Sequence, residues 1–189
     1  MQTAWRPTPD RLAAALDRAT AADLTYDEVG LSVGPAPAGW TLLEQRTPLG
    51  EGDRLEQRVG GALLGWRLHR EARMVLASDR GRAEVGATVV DAAPFGPLAV
   101  LAACRVVAVV DRPGCRGFRY GSLPGHPLVG EESFTVEREG AAVLLRIRSV
   151  SRPVGLAGLA PPLARAGQRH VNRRYARAAQ RLAGAGERA

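Results

Sequence analysis

The sequence predicts an α+β fold in which a curved antiparallel sheet of about six strands wraps a long C-terminal helix and leaves a cavity between them. Two observations predict this fold. Valine-rich segments separated by turn residues fill residues 85–151, a pattern typical of an antiparallel meander. Helical patterns lie before and after the meander, and the second of them runs from residue 161 almost to the C-terminus.

Length and composition are those of one globular domain. The chain has 189 residues, of which 46% are hydrophobic and 24% are charged, and these values exclude a disordered chain. The most apolar segment, residues 98–110, is interrupted by Arg105, so no membrane span is predicted. Arg6 and Arg11 lie where a secretory signal would need an apolar core. We therefore expect a cytoplasmic protein.

All 26 basic residues are arginine, since the sequence contains no lysine. Together with abundant alanine and glycine, this indicates a GC-rich genome of the actinobacterial type rather than a binding adaptation. Three histidines and two cysteines show no metal-ligand spacing, so we expect neither a metal nor a cofactor. A turn at residues 111–114 would set Cys104 opposite roughly Gly121 and Cys115 opposite roughly Val110, which predicts two free thiols.

A short helix is predicted near the N-terminus. Thr8 supplies an N-cap directly ahead of a proline, and the helical pattern ends near Ala22. We expect residues 1–25 to form a helical extension and residues 26–189 to form a single domain.

The passage after this helix is predicted to be an irregular cover over the domain. Residues 26–39 contain three glycines and two prolines, which are typical of irregular surface chain. Tyr26, Asp27 and Glu28 could line a site entrance there, or they could form an ordinary solvated turn.

A first strand at residues 40–47 and one long helix ending at His69 are predicted next. The apolar stripe of this helix recurs at spacings of three and four residues: Leu55, Val59, Ala62, Leu63 and Trp66. Three glycines within it, at positions 60, 61 and 65, could permit close approach to a sheet or a ligand. Trp66 and His69 are one turn apart, so they form either a pocket corner or a core pair.

The meander is predicted to contain five strands. They are placed at residues 85–91, 98–110, 116–123, 129–139 and 142–150. The last strand alternates apolar residues with Arg146 and Arg148, which indicates that one face of the sheet is solvated.

The turn between the third and fourth of these strands carries the candidate chemistry. Its two prolines and two glycines shape the loop, and His126 is held extended because it precedes a proline. Strand alternation places Glu132 on the apolar face with Phe134, and Tyr120 on the same face as Phe118. A carboxylate on a buried face must be paired or have its pKa raised.

Tyr120, His126 and Glu132 are therefore predicted to converge on one pocket wall as candidate catalytic residues. The alternative is that His126 and Glu132 hold the loop, by capping backbone groups or by pairing with an arginine.

The C-terminal helix is predicted to be amphipathic. Its apolar stripe includes Leu163, Val171 and Tyr175, and six arginines with no acidic residue lie between residues 162 and 186. The exposed arginines either contact an anionic surface or form a solvated face. The candidate surface residues are Arg165, Arg169, Arg173 and Arg177.

Several sequence runs resemble one family. They are Tyr26-Asp-Glu-Val-Gly30, Ala62-Leu-Leu-Gly-Trp-Arg-Leu-His69, Gly117-Phe-Arg-Tyr-Gly-Ser-Leu-Pro-Gly-His126, Gly130-Glu-Glu-Ser-Phe134, Ser151-Arg-Pro153 and Gln168-Arg-His-Val-Asn-Arg-Arg-Tyr175. From residue 26 to the C-terminus the chain resembles the bacterial and plant family catalogued as domain of unknown function nineteen-ninety. That family has no assigned activity, so the resemblance implies no catalytic residues.

The order of elements is in turn similar to the helix-grip superfamily, also called START-like or Bet v 1-like. Its members hold lipids, polyketides and other hydrophobic molecules between sheet and helix, and some are cyclases or hydratases. The resemblance implies a similar cavity in this chain.

Three functions are consistent with these observations. The leading hypothesis is the binding of a hydrophobic small molecule that carries a polar or acidic group. The second is a cyclase or dehydratase in which Glu132 or His126 is the general base and Tyr120 donates to an oxyanion. The third is an interaction module that docks through the arginines of the last helix. Nucleic-acid motifs are missing. The expected ligand contacts are Trp66, His69, Phe118, Tyr120, Phe134 and Tyr175.

Overall fold

The computed structural model describes residues 3–5, 7–95 and 98–185. Within this part of the chain, eight strands and five helices alternate as an α+β fold. In chain order they are β1 (Thr3–Trp5), α1 (Pro9–Thr20), β2 (Thr41–Glu51), α2 (Asp53–Leu64), α3 (Arg67–Glu71), β3 (Val75–Ser78), β4 (Thr88–Phe95), β5 (Leu98–Arg112), β6 (Cys115–Ser122), β7 (Leu128–Glu139), β8 (Ala142–Pro153), α4 (Gly155–Gly158) and α5 (Pro161–Gly184).

The strands form one antiparallel sheet in the order β2-β8-β7-β6-β5-β4-β3, and β1 pairs with β5. The meander from β4 to β8 pairs each strand with the next along the chain, as the sequence predicts. Tight turns make this possible: Gly114 at φ 81° and Gly140 at φ 63° occupy a backbone region that favours glycine. Cys104 pairs with Ser122, one residue from the predicted partner, and Cys115 pairs with Arg112, two residues from the predicted partner. Both thiols are free, as predicted.

One face of the sheet packs against α2, α3 and α5, which confirms the predicted helix-grip arrangement. Leu145 and Ile147 of β8 alternate inward, while Arg146 and Arg148 alternate outward as predicted. Large apolar side chains form the core on this inner face, and they are fully buried. These include Leu63, Trp66, Leu68, Phe118, Phe134, Leu145, Ile147 and Tyr175. Helices α2, α3 and α5 all lie over this face. Part of the inner surface is therefore covered by a packed core, and another part borders a cavity.

The opposite, outer face of the sheet carries α1. Thr8 caps this helix as predicted, since its Oγ1 accepts a hydrogen bond from the Arg11 amide at 3.4 Å. A second, smaller core joins α1 to β4 and β5: Leu12, Ala19, Val90, Ala92, Ala99, Leu101 and Leu123. The boundary between an extension and a domain near residue 25 stays a prediction.

The prediction of one long helix before the meander is wrong. The structure divides it into α2 and α3 because Trp66 adopts a left-handed backbone conformation with φ 60°. The Trp66 indole donates to the Arg80 carbonyl at 3.3 Å, which ties this break to the chain after β3. Gly60 does permit close approach to the sheet, since a Cβ there would lie 2.7 Å from the Arg116 Cβ.

The predicted number of about six strands omits β1 and β3. Both are short, with three and four residues, and neither shows the alternation of apolar and polar residues that identified the longer strands. Within the described residues, strand β3 pairs with β4 alone, so it extends the sheet at one edge. The predicted strand at residues 85–91 is shifted, because β4 begins at Thr88 and reaches Phe95.

Candidate functional site

A cavity of about 680 Å³ lies between the inner face of the sheet and α5. Pockets that bind small molecules usually measure ~300–1,000 Å³. Strands β4 to β8 form its floor, and small residues of α4, of α5 and of the link between them form its opposite wall, among them Ala157, Ala160, Ala164 and Ala166. The loop from β6 to β7 contributes His126 and Pro127 to one side. The cavity is therefore where the helix-grip resemblance places it.

Tyr120 and Glu132 lie side by side on the cavity floor. They are direct partners in the β6–β7 register, and the Tyr120 hydroxyl donates to Glu132 Oε2 at 3.1 Å. Burial raises the pKa of Glu132 to about 7, and the charge of Asp91 adds to this effect while the hydrogen bond from Tyr120 opposes it. Glu132 Oε1 is buried and has no hydrogen-bond partner among the described residues.

Asp91 is a second carboxyl in the cavity, and it is not among the site residues that the sequence predicts. It lies at the middle of β4, where its side chain is 5% exposed and lines the cavity. Burial raises the pKa of Asp91 to about 7. The sequence contains a signal for this position. Asp91 lies two residues from both Val89 and Ala93, which are buried, and side chains two residues apart on a strand share a face.

Helix α5 contributes polar groups from the side of the cavity opposite to the sheet. Tyr175 is buried, and burial together with the nearby Asp91 and Glu132 raises its pKa well above the usual range. Asn172 is 2% exposed and lines the cavity, and its Nδ2 has no hydrogen-bond partner within the described part of the chain. Gln168 Nε2 donates to Ser149 Oγ at 2.8 Å, which links the helix to β8 across the cavity.

His126 lines the cavity but hydrogen-bonds its own loop. Its Nδ1 lies 2.6 Å from the carbonyl oxygen and 3.0 Å from the amide nitrogen of Leu128. Burial lowers the pKa of His126 to about 4, although the contact with the Leu128 backbone opposes the shift. These contacts match the alternative in which the imidazole holds the loop. A catalytic role for His126 stays a prediction, and the direct pair in this set is Tyr120 with Glu132.

Four of the six expected ligand contacts lie beside the cavity rather than in its wall. Trp66, His69, Phe118 and Phe134 form an aromatic cluster, with ring centroids 5.1 Å apart for Trp66 and Phe118 and 5.6 Å apart for Phe118 and Phe134. Burial lowers the pKa of His69 to about 3, so the ring is neutral. Strand alternation assigns a residue to a face, but α2 and α3 cover this part of that face. Of the expected contacts, Tyr120 and Tyr175 line the cavity.

Glu131 is buried on the outer face, because it alternates with Glu132 along β7. It is 1% exposed and accepts hydrogen bonds from the Tyr26 hydroxyl (3.1 Å), the Gly30 amide (2.7 Å) and both the amide and the hydroxyl of Ser32 (3.2 and 2.5 Å). Arg119 adds an ion pair at 3.5 Å. Glu131 therefore fastens residues 26–34 across the sheet, as a cover.

The predicted entrance residues belong to this cover. Tyr26 is buried against Gly121 on the outer face, while Asp27 and Glu28 are exposed. None of the three lines the cavity described above. Their placement is a correction to the expected site entrance, and the reason is that the cover crosses the outer face of β6 and β7.

The four arginines expected at an anionic surface are exposed on α5. Arg165 donates to Thr41 Oγ1 at 3.0 Å, and Arg173 also lines the cavity. Their docking role stays a prediction. Among the helices of the described residues, none is long and apolar enough to span a membrane. The described residues also contain no group of three or more His, Cys, Asp or Glu that could hold a metal ion.

Comparison with solved structures shows the same fold at low sequence identity. The chain is similar to a hypothetical protein of Helicobacter pylori, with TM-score 0.58 and 10% identity over 86% of this chain and 99% of the other. It is also similar to the ginseng major latex-like protein 151 of Panax ginseng, with TM-score 0.53 and 16% identity over 72% of this chain and 95% of the other. At these identities the likeness shows the fold alone.

Comparison of sequences shows the family. A UPF0548 protein of Deinococcus radiodurans is 36% identical over an alignment 197 positions long, which covers 94% of this chain and 96% of that protein. The family model described as Domain of unknown function (DUF1990) matches residues 25–178. The match includes both strands of the Tyr120–Glu132 pair and most of α5. This chain therefore belongs to the DUF1990 family.

Proposed function

We propose that this protein binds a hydrophobic, lipid-like or polyketide-like small molecule in the cavity between the sheet and α5. The observation that carries the proposal is the 680 Å³ cavity itself, which combines alanine-rich helical walls with a few polar groups on its floor. This combination is typical of small-molecule sites. The shared fold with the ginseng and Helicobacter proteins is consistent with such a site.

The size of the cavity supports the proposal energetically. Protein interiors are packed as densely as organic crystals, and the atoms that line a void lose their dispersion contacts. The aromatic cluster beside the cavity is closely packed, so the same chain does form a dense core where its side chains fill the space. The hollow between Ala164 on the helix and Ala102 on the sheet is filled by a ligand under this proposal.

The rim of the cavity supplies a route of entry. Leu163 lines the cavity and is nevertheless 73% exposed, so the cavity reaches the surface at the first turns of α5. Leu159, just before α5, is 82% exposed. Exposed large apolar residues beside a hollow are typical of binding sites. An apolar guest would enter past these leucines and direct its polar end towards Tyr120 and Glu132.

A matched pair of variants tests this proposal. Ala102 and Ala103 are neighbours on β5, but Ala102 lines the cavity and Ala103 packs towards α1 on the outer face. Thermal stabilisation and native mass spectrometry with a panel of lipids and polyketides should detect a ligand for the natural protein and for Ala103→Leu. The Ala102→Leu variant should lose it, because leucine occupies part of the cavity. Equal binding by both variants, or no stabilisation by any compound, would contradict the proposal.

A second candidate is acid–base catalysis in the same cavity, as in a cyclase or dehydratase. The observation that favours it is Glu132, whose pKa of about 7 suits a group that both accepts and releases a proton near neutral pH. Tyr120 is within hydrogen-bond reach of Glu132 and could donate to a developing oxyanion. With a pKa of about 4, His126 is a weaker base than Glu132.

Glu132→Gln separates the two candidates. For an enzyme, the variant should retain a bound ligand but form no product over hours, as measured by mass spectrometry of extracted small molecules. Product formation at the natural rate would contradict catalysis by Glu132. Unchanged ligand recovered from the natural protein and from the variant alike would support binding alone.

A further inference from the structure

The inner end of the cavity contains hydrogen-bonding groups that the protein leaves unsatisfied. A carboxylate can accept about four hydrogen bonds, yet Glu132 receives one, from Tyr120, and its buried Oε1 has no partner among the described residues. Asn172 is 98% buried and lines the same cavity, and its Nδ2 likewise has no partner in that part of the chain. Buried polar groups are nearly always paired, so unpaired groups on two residues that line one cavity favour a polar ligand there.

The ionisable groups around this end are acidic or neutral. Asp91 from β4, Cys104 from β5, Tyr120 from β6, Glu132 from β7 and Tyr175 from α5 influence one another electrostatically. None of these five can carry a positive charge. Strand β8 adds the uncharged Ser149.

The cationic side chains near the cavity lie elsewhere. His126 has a pKa lowered to about 4 and is neutral. Arg173 and His170 line the cavity from exposed positions on α5. Arg174 influences Tyr175, but its guanidinium donates to the carbonyls of Ala72, Arg73 and Pro94. Among the described residues, no cationic side chain therefore forms an ion pair with either carboxyl.

We propose that the ligand is an amphipathic amine, with an apolar body in the cavity and a protonated nitrogen held by Glu132 and Asp91. This inference rests on the proposed function, since it needs a guest in the same cavity. An ammonium group supplies three donors and a positive charge, and it meets the unsatisfied Oε1 of Glu132. A carboxylate at the same place would face two carboxyls and be repelled. The Asn172 amide is then a donor for an oxygen atom of the same ligand.

The number of protons released on binding distinguishes an amine from a ligand with another polar group. The pKa of each carboxyl is about 7 in the free protein, so at neutral pH both are partly protonated. A bound ammonium favours their ionised forms and lowers both pKa values, so binding releases protons to the buffer. An alcohol of the same length gives no such release, because it brings no charge.

Three probes with one tail test the inference: octylamine, octan-1-ol and octanoate. We expect isothermal titration at pH 7 to show octylamine binding about tenfold or more tightly than octan-1-ol, with octanoate weakest. Buffers of different ionisation enthalpy should show proton release for octylamine only. Glu132→Gln and Asp91→Asn should remove the preference for the amine, whereas Glu137→Gln, on the outer face of the same strand, should keep it.

The outcomes separate this inference from the proposed function. If octan-1-ol or octanoate binds as tightly as octylamine, or if Glu132→Gln keeps the preference, the amine site is wrong while the cavity still binds small molecules. If none of the three binds, the amine inference is wrong, and the lipid and polyketide panel decides the proposed function separately. Proton release is measured on the natural protein, so its absence on octylamine binding contradicts the inference even where a variant does not fold.

Discussion

The hydroxyl of Tyr120 donates a 3.1 Å hydrogen bond to Glu132 across the β6–β7 pair, at the floor of the cavity. The two residues therefore form a unit. The tyrosine stabilises the charged form of the carboxyl, while burial and Asp91 favour its neutral form, and the balance leaves its pKa at about 7. A carboxyl poised in this way responds to pH, to substitution and to a bound ligand.

Glu132→Gln should stabilise the ligand-free protein at pH 8 and leave it nearly unchanged at pH 4. The folded-state pKa of Glu132 is raised from 4.5 to about 7, so the native protein loses stability as pH rises between these values. One pKa unit corresponds to about 1.4 kcal/mol, so the gain at pH 8 should be on the order of 3 kcal/mol. Urea denaturation at both pH values measures it.

Two buried histidines also change the free energy of unfolding with pH, but they do not affect the difference between Glu132→Gln and the natural protein. The pKa values of His69 and His126 are lowered to about 3 and about 4, so their contribution to stability is lost as pH falls below about 6.5. They oppose the effect of the carboxyl over part of the same range. The comparison of variant with natural protein at each pH cancels them, and an equal gain at pH 4 and pH 8 would contradict the assignment.

Tyr120→Phe should destabilise the protein mainly above neutral pH. The substitution keeps the ring in its core position but removes the donor to Glu132, and hydrogen bonds to charged groups contribute about 1.5–3 kcal/mol. At pH 5 the carboxyl is neutral, so the loss should be smaller. Denaturation midpoints at pH 5 and pH 8 test this. A loss of the same size at both would show that the hydrogen bond does not depend on the charge of Glu132.

Glu131→Ala should destabilise the protein by about 3 kcal/mol or more, since it leaves buried donors of the cover without their acceptor. The adjacent acid on the cavity side, Glu132, accepts its hydrogen bond from Tyr120 instead, so the effect is expected of Glu131 in particular. Limited proteolysis should cut residues 26–34 faster in Glu131→Ala than in Glu137→Ala, a control on the same outer face. Equal cutting rates would mean that Glu131 does not fasten the cover.

Gly121→Ala should destabilise the fold, because an added Cβ would overlap the ring of Tyr26 under the cover. Overpacking of this kind costs roughly 1–3 kcal/mol. Gly61→Ala is the matched control: this exposed position within α2 has open space around it and should gain about 0.5–1 kcal/mol. Thermal unfolding of both variants checks the opposite signs. A stabilised Gly121→Ala variant would contradict the close approach of Tyr26.

The sequence predicts which residues share a face better than which residues share a site. Alternation along β7 correctly places Glu132 and Phe134 inward, but Glu132 borders the cavity and Phe134 lies in the packed core. That distinction depends on where α2 and α3 cover the sheet, and it is set by the left-handed turn at Trp66, which no local pattern signals. Composition and periodicity therefore predict the fold class. Whether an inner-face residue lines the cavity or lies in the packed core depends on how the helices pack on the sheet.

Burial of polar residues is similarly hard to predict from the local sequence. Glu131 follows the polar side of β7, yet residues about a hundred positions earlier in the chain cover it. Asp91 is the reverse case, because its place between apolar neighbours on β4 does mark it as an inner-face residue. A buried acid whose partners are distant in sequence leaves no local signal, whereas an acid within an apolar row does.

The open cavity between Tyr120 and α5 is the central claim, and a crystal of the protein pressurised with xenon tests it most directly. Xenon enters apolar protein cavities that have no other occupant. We expect xenon, or density for a co-purified apolar molecule, between Ala102 and Ala164. A crystal with neither, in which side chains of α5 pack directly onto Tyr120 and Glu132, would contradict the claim.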